Sequence, residues 1–259
     1  MLLTDRVAIV SGIGPGMGRE IALACAREGA HVVLAARTAE RLQPLADEIT
    51  AAGRHALCVP TDIADETQCR ALAAAALREF GRIDVLVNNA FKGGLEPLIE
   101  ENTMAEWRKI FDVNVFGSVQ LSQAVVPAMK AHGGGAIIFV NSMSMRIIEP
   151  HFGGYAASKG ALMSAAQALA KELGAHKIRV NTIVPGYIWG PALERYFKAL
   201  AAQRQITPEA VYAEVAGRTA LNHIPTSAEI ADTVVFFASD LSRAVTGQAL
   251  DVNGGHYFH

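Results

Sequence analysis

Val7-Ala8-Ile9-Val10-Ser11-Gly12-Ile13-Gly14-Pro15-Gly16-Met17-Gly18 is the stretch whose reading decides the fold. A short β-branched run ends in a cluster of glycines, and Ile21 to Glu28, rich in Ala and with helical spacing, follows. The run reads as a strand and the later segment as a helix, so the glycines form a strand-to-helix turn. The chain holds 23 glycines in 259 residues, an ordinary share, yet Gly12, Gly14, Gly16 and Gly18 crowd into this one turn. A helix N-terminus with little side chain around it accepts a phosphate group, because unpaired N–H groups and the helix dipole both favour negative charge. A tight turn alone would also use glycines, so the surrounding pattern has to decide.

Similar apolar runs recur at Val32 to Ala36, Ala56 to Val59, Val85 to Val87, Ile137 to Val140, Val180 to Val184 and Ala249 to Val252. They read as strands buried on both faces. Ala39 to Ala51, Gln68 to Phe80 and Met104 to Met129 lie between them with helical spacing. This alternation predicts an α/β fold, a Rossmann-type doubly wound sheet of about seven parallel strands with helices on both faces. A helix begins near Tyr155. Leu162, Ala166, Leu169 and Leu173 form its apolar stripe, Gly174 can end it, and Ala156, Ala157, Gly160, Ala161 and Ala165 would let another helix approach closely.

No internal repeat, low-complexity segment or flexible linker divides the chain, and residues 1–259 read as a single domain. Glu194 to Arg218 interrupts the alternation and carries Tyr196, Phe197 and Tyr212. The expectation is an insert near 190–220 that shapes a ligand pocket; a plain surface helical hairpin is the alternative.

Lys plus Arg number 23 against 25 for Asp plus Glu, a formal charge of −2, which argues against nucleic acid as a partner. Apolar residues make up 51% and charged ones 19%, enough for a large core. Met1 to Arg6 has no signal-peptide core, and no apolar run is long enough to span a bilayer, so a soluble, cytoplasmic protein is expected. Cys25, Cys58 and Cys69 are scattered and read as reduced packing thiols; the eight histidines lack metal-ligand spacing, and no metal is expected.

Strand, glycine turn, helix and second strand fall within about 30 residues, the layout of a dinucleotide site. At the end of the second strand an acidic side chain would bond a ribose 2′-OH, whereas an arginine would accommodate a 2′-phosphate. Here Ala36 stands in the acidic position and Arg37 follows, which favours NADP over NAD; Arg41 adds a further cation or is mere surface charge. Tyr155 and Lys159, four residues apart, share one helix face. A free phenol has a pKa of about 10, and a nearby ammonium would favour the phenolate, which suits a general acid/base.

With these features the chain resembles the short-chain dehydrogenase/reductase family over nearly its whole length. Gly12, Gly16 and Gly18 match the family's Gly-x-x-x-Gly-x-Gly loop, Asp62 its adenine-contacting acid, and Asn88-Asn89-Ala90 its Asn-Asn-Ala-Gly stretch. Asn114 stands where the family's helix-borne asparagine lies, Ser142 precedes Tyr155 by the family's interval, and Pro185-Gly186 and Thr246 to Gly255 match its C-terminal segments. The resemblance implies that Gly14, Met17, Ile63, Asn89, Ala90 and the Ile188 backbone join this cofactor site. It also implies that Ser142 stabilises the substrate oxygen, with Ser144 as a competitor, while Tyr155 exchanges a proton with that oxygen. Lys159 would hold the nicotinamide ribose and lower the Tyr155 pKa, and Asn114 would hold a water linking Lys159 to solvent. A homotetramer, or a dimer, is implied too, with the stripe beginning at Tyr155 packing against its counterpart.

Two positions depart from the pattern: Phe91 replaces a glycine, and Gly190 replaces a threonine that contacts the cofactor. Phe91, Met143, Met145, His151, Phe152, Tyr187, Trp189, Tyr196 and Phe197 are the substrate-facing candidates, and their apolar character suits a hydrophobic alcohol or ketone. The expected function is an NAD(P)-dependent carbonyl reductase or alcohol dehydrogenase. A 3-oxoacyl carrier-protein reductase and a non-catalytic nucleotide-binding regulator are the alternatives.

Overall fold

The computed structural model describes residues 1–258. Seven strands form one sheet: β1 (Val7–Ser11), β2 (His31–Ala36), β3 (Ala56–Pro60), β4 (Val85–Asn88), β5 (Gly135–Val140), β6 (Ile178–Pro185) and β7 (Ala249–Val252). The order is β3-β2-β1-β4-β5-β6-β7, and every pairing is parallel. Parallel neighbours need crossovers, and helices supply them. They are α1 (Met17–Arg27), α2 (Gln43–Ala51), α3 (Glu66–Phe80), α4 (Met104–Phe111), α5 (Ser118–His132), α6 (Gly153–Leu173), α7 (Pro191–Arg204), α8 (Pro208–Ala216) and α9 (Ser227–Ala238).

The alternation along β1 shows how one strand serves two layers. Ala8 and Val10 belong to the core that α1, α2 and α9 cover, whereas Val7 and Ile9 face the core under α3, α5 and α6. All four are essentially inaccessible, as a strand sandwiched by helices must be. The expectation of burial on both faces fails only at the edges. β3 is half-buried and Leu250 of β7 is exposed, because an edge strand has one neighbour and less helix above it. Cys25 and Cys69 are buried and Cys58 half-buried, all as free thiols; burial pushes Cys25 up to about 12 and Cys69 to about 11, so neither ionises near neutrality. Among the described residues no helix is long and apolar enough to cross a membrane.

Two local readings need correction, and one holds. The helical run Met104 to Met129 is interrupted by a π-helical segment, Asp112–Gly117, between α4 and α5. α6 does end at Gly174, which follows its last residue, Leu173; a 3₁₀ turn comes next and stops at Lys177, whose φ is 58°. The apolar stripe Leu162, Ala166 and Leu173 is taken up by this chain's own core, since the sheet needs a cover on that face. It is therefore not a free surface for a second subunit; the exposed face of α6 carries Ala157, Ser164, Gln167 and Ala168 instead.

The segment near 190–220 is a helical hairpin with its own core, in which Phe197, Ala201, Val211 and Val215 pack together with Ile224. Thr207 caps α8 by accepting from the Ala210 amide, and Gln205 turns the chain with φ 53°. A small satellite core should loosen before the main sheet does. Phe197→Ala is therefore expected to speed amide exchange across 191–216 by roughly tenfold or more while leaving β1, β4 and β5 protected. Exchange read by mass spectrometry tests this; a uniform loss of protection over the sheet contradicts it.

Candidate active site

The sheet order reverses direction between β1 and β4, and the crevice at their carboxyl ends is where an open α/β sheet takes a ligand. Ser11 and Asn88 are register partners, so the first glycine turn and the segment after β4 leave the sheet side by side. The approach there is very close. A Cβ on Gly12, whose φ is +79°, would lie 2.4 Å from the Ala90 Cα, and one on Gly18 would lie 2.3 Å from the Gly12 carbonyl oxygen. Those two glycines answer to packing. Gly14 faces open space, and Gly16 meets only the Ser227 hydroxyl, 3.9 Å from where its Cβ would be, so here the missing side chains leave room for a ligand. No side chain caps the start of α1 at Gly16.

Asn89 closes this turn. Its Nδ2 donates to the Gly12 carbonyl at 2.9 Å and the Ser11 carbonyl at 3.2 Å. The Asn89 amide donates in turn to the Ser11 hydroxyl at 3.2 Å. A cleft of about 450 Å³ runs from this turn, lined by Gly12, Gly14, Asn89 and Ala90, with Asp62, Ile63 and Val113 also on its wall. Arg37, Thr38 and Arg41 line it as well, and neither guanidinium is in an ion pair among the described residues. Met17, Pro185 and Ile188 are not in this lining: Met17 and Ile188 pack against the main core, and Pro185 is buried in β6 beside Val252.

A second pocket of about 320 Å³ adjoins the first, and Phe91 and Gly93 belong to both. Ser142, Met143, Phe152, Tyr155, Gly186 and Tyr187 line it, and Phe91 sets its ring edge-on to Tyr155 with centroids 6.2 Å apart. Several expected substrate contacts lie elsewhere. Trp189 turns into the hairpin core, 4.7 Å from the Tyr212 ring and 5.8 Å from Phe197, because the large indole finds its apolar partners there. Phe197 is buried in the same cluster, Tyr196 is exposed, and Met145 lies outside the lining. His151 is exposed, and its Nδ1 bonds the Glu96 carbonyl at 2.8 Å instead of reaching the pocket. Conversely, Glu149, Arg218 and His256 line the pocket, with His256 stacked on Tyr187 at 5.8 Å, and they make it more polar than the apolar candidates suggested. Arg218 is paired with Glu214 at 2.8 Å. No local motif marks these three, which come from distant parts of the chain.

Burial pushes the Tyr155 phenol above its ordinary value, offset in part by a hydrogen bond with Ser142. The Ser142 hydroxyl is held at the end of β5 by Ser144, 3.0 Å between hydroxyl oxygens. The Lys159 ammonium donates to the Val140 carbonyl at 2.8 Å and lies 5.6 Å from the Tyr155 ring centroid. Lys159 is itself buried, and desolvation pushes it down to about 7. Asn114 sits in the π-helical segment, a distortion that often marks functional sites. Its Nδ2 donates to the Lys92 carbonyl and the Ser158 hydroxyl, each at 2.9 Å, and its Oδ1 accepts from the Lys92 amide at 2.7 Å. Both donors of that amide are thus engaged by protein.

Since Lys159 has a folded value near 7, below the ordinary 10.5, folding penalises its charged form. The penalty is full below about pH 7 and fades as pH rises towards 10.5. Lys159→Met is expected to raise stability at pH 6 by about 1–3 kcal/mol, the gain shrinking at higher pH. Urea unfolding at several pH values measures it, and an unchanged or lower stability at pH 6 contradicts it.

A family model described as Enoyl-(Acyl carrier protein) reductase matches residues 12–257. The chain is 36% identical to the 7alpha-hydroxysteroid dehydrogenase of Escherichia coli (strain K12) over 253 residues, covering 98% of this chain and 94% of that one. It is also 36% identical to the L-rhamnose 1-dehydrogenase (NAD(P)(+)) of Azotobacter vinelandii, covering 98% of each. Among solved structures, L-sorbose reductase from Gluconobacter frateurii, complexed with NADPH and L-sorbose, superimposes with a TM-score of 0.93 at 32% identity, over 99% of this chain and 98% of that one. Agreement of this kind over almost every residue, on a fold whose first turn lines one cleft and whose Tyr155 lines the adjoining one, makes this chain an oxidoreductase that belongs to the short-chain dehydrogenase/reductase family.

Proposed function

We propose that the protein is a reductase or dehydrogenase that uses a nicotinamide dinucleotide, NADP in preference to NAD, on a compact ketone or secondary alcohol. The observation that carries this reading is the meeting of two clefts at Phe91 and Gly93, one glycine-lined, the other walled by Tyr155, Met143, Phe152 and Tyr187. Relatives bound to NADPH or NADH support the cofactor class. The residues present fit such a group: open backbone at Gly14 and Gly16, an uncapped α1 N-terminus for the pyrophosphate, and Asp62 and Ile63 on the wall for the adenine. Two unpaired guanidiniums, Arg37 and Arg41, line this cleft, and Ala36 offers no carboxylate to repel a 2′-phosphate.

When bound, the nicotinamide supplies or accepts the hydride. The protein's own groups handle the proton. A phenol held above its ordinary value is neutral near pH 7, so Tyr155 can donate a proton to a carbonyl oxygen during reduction. Ser142 donates a hydrogen bond to the same oxygen and stabilises the charge that develops there. Lys159, with a value near 7, is suited to pass a proton back to the phenol. Asn114 holds the Lys92 backbone in place along the cleft wall. Glu149, Arg218 and His256 support a substrate that carries a polar substituent on its apolar body. A homo-oligomer, as the family resemblance implies, is part of this reading.

Tyr155→Phe should lower kcat by about 10²–10⁴-fold while leaving NADPH affinity within about twofold. Arg37→Asp should weaken NADPH binding by roughly tenfold or more and leave NADH binding little changed. Calorimetry with both cofactors and a ketone screen test these outcomes. Preference of the wild type for NADH, or NADPH binding spared in Arg37→Asp, removes the NADP assignment.

A further inference from the structure

We propose that Glu96 is a positioning residue for Tyr155, holding the first turn of α6 against the loop between β4 and α4. The inference rests on the acid/base reading of Tyr155 given above. α6 begins without a cap of its own, since Phe152 before it provides no side-chain hydrogen bond. Glu96 provides one from far away in the chain. Its Oε1 accepts from the Tyr155 amide at 2.8 Å, and its Oε2 accepts from the Gly154 amide at 3.0 Å. The residue that carries the phenol is therefore bonded through its own backbone to a carboxylate, and negative charge at a helix N-terminus is favourable.

The loop is locked in place around this contact. Asn102 Nδ2 donates to Glu96 Oε2 at 3.1 Å. The Glu96 amide donates to the His151 carbonyl at 2.8 Å, and His151 Nδ1 meets the Glu96 carbonyl at 2.8 Å, so that nitrogen carries the proton. To do this His151 adopts a φ of 67°, uncommon for a residue with a side chain. The Gly153-Gly154 pair leaves the space required: a Cβ on Gly154 would lie 2.7 Å from Glu96 Oε2, and one on Gly153 would lie 2.7 Å from Ile99. The same loop reaches the ring. A Cβ on Gly93 would lie 2.9 Å from Tyr155 Cδ2, and Phe91 stands edge-on beside it.

One loop thus holds Tyr155 at both ends, the ring through Phe91 and Gly93 and the backbone through Glu96. A proton-transfer group works only within hydrogen-bond reach of the atom it serves, so the backbone contact sets how often the phenol is in reach.

Glu96→Ala loses both acceptors, and Glu96→Gln keeps the shape and one of them. With rates expressed per NADPH-binding site, kcat is expected to fall by about tenfold in Ala and about threefold in Gln, with NADPH affinity within about twofold of wild type. Loss of folded protein would lower the number of binding sites, not the rate at each one. If Glu96→Ala does not fold, Glu96→Gln alone decides. A kcat per site within twofold of wild type in the variants that fold overturns the inference. Tyr155→Phe run alongside separates the two readings: if it turns over normally, the acid/base reading has failed and this inference with it. If it is inactive while the Glu96 variants are fully active, only the role of Glu96 has failed.

Discussion

The backbone of Gly12 lies against that of Ala90, closer than any side chain would permit, and the rest of the site depends on that contact. It exists because β1 and β4 are parallel neighbours that end at the same level, Ser11 beside Asn88. Two loops leaving adjacent strands at one level must either diverge or pack backbone to backbone. Here they pack, and Asn89 ties them with its side-chain amide on the Ser11 and Gly12 carbonyls. The turn that follows is held on one side by protein and open on the other at Gly14. A cleft is the consequence.

The second loop then continues from Ala90 to Phe91 and reaches α6, so the floor of one cleft becomes the wall of the next. Burial decides the chemistry at this junction. Desolvation raises a phenol and lowers an ammonium, and it moves Tyr155 and Lys159 in those opposite directions. Both are thereby shifted towards their neutral forms. The low polarity that shifts them is the same low polarity in which a hydroxyl such as Ser142 acts strongly on a developing charge.

The alternating strands and helices were legible in the chain because each buried strand is a short β-branched run and each crossover a longer Ala/Leu-rich one. The π-helical segment at Asp112–Gly117 was not, since its composition is that of any helix, and the bonds that Asn114 within it makes to Lys92 and Ser158 join parts of the chain far apart in sequence. In the site, the glycine turn was found on the first cleft, and Tyr155 and Ser142 were found lining the second. Trp189 and His151 were not, because an aromatic or imidazole near a pocket in sequence still turns to whichever partner is nearest in space. Trp189 found Tyr212, and His151 found the Glu96 carbonyl. Arg218, His256 and Glu149 carried no motif at all.

By itself the sequence determined the layered α/β architecture, the glycine turn and the Tyr155–Lys159 face, since each is a local pattern with a local physical cause. Only the tertiary structure decided which side chains share a pocket, how burial sets the protonation of Tyr155 and Lys159, and that Glu96 binds the Tyr155 backbone. These depend on distances between segments far apart in the chain, and desolvation and hydrogen bonding act through space, where the order of residues carries no record of who is near.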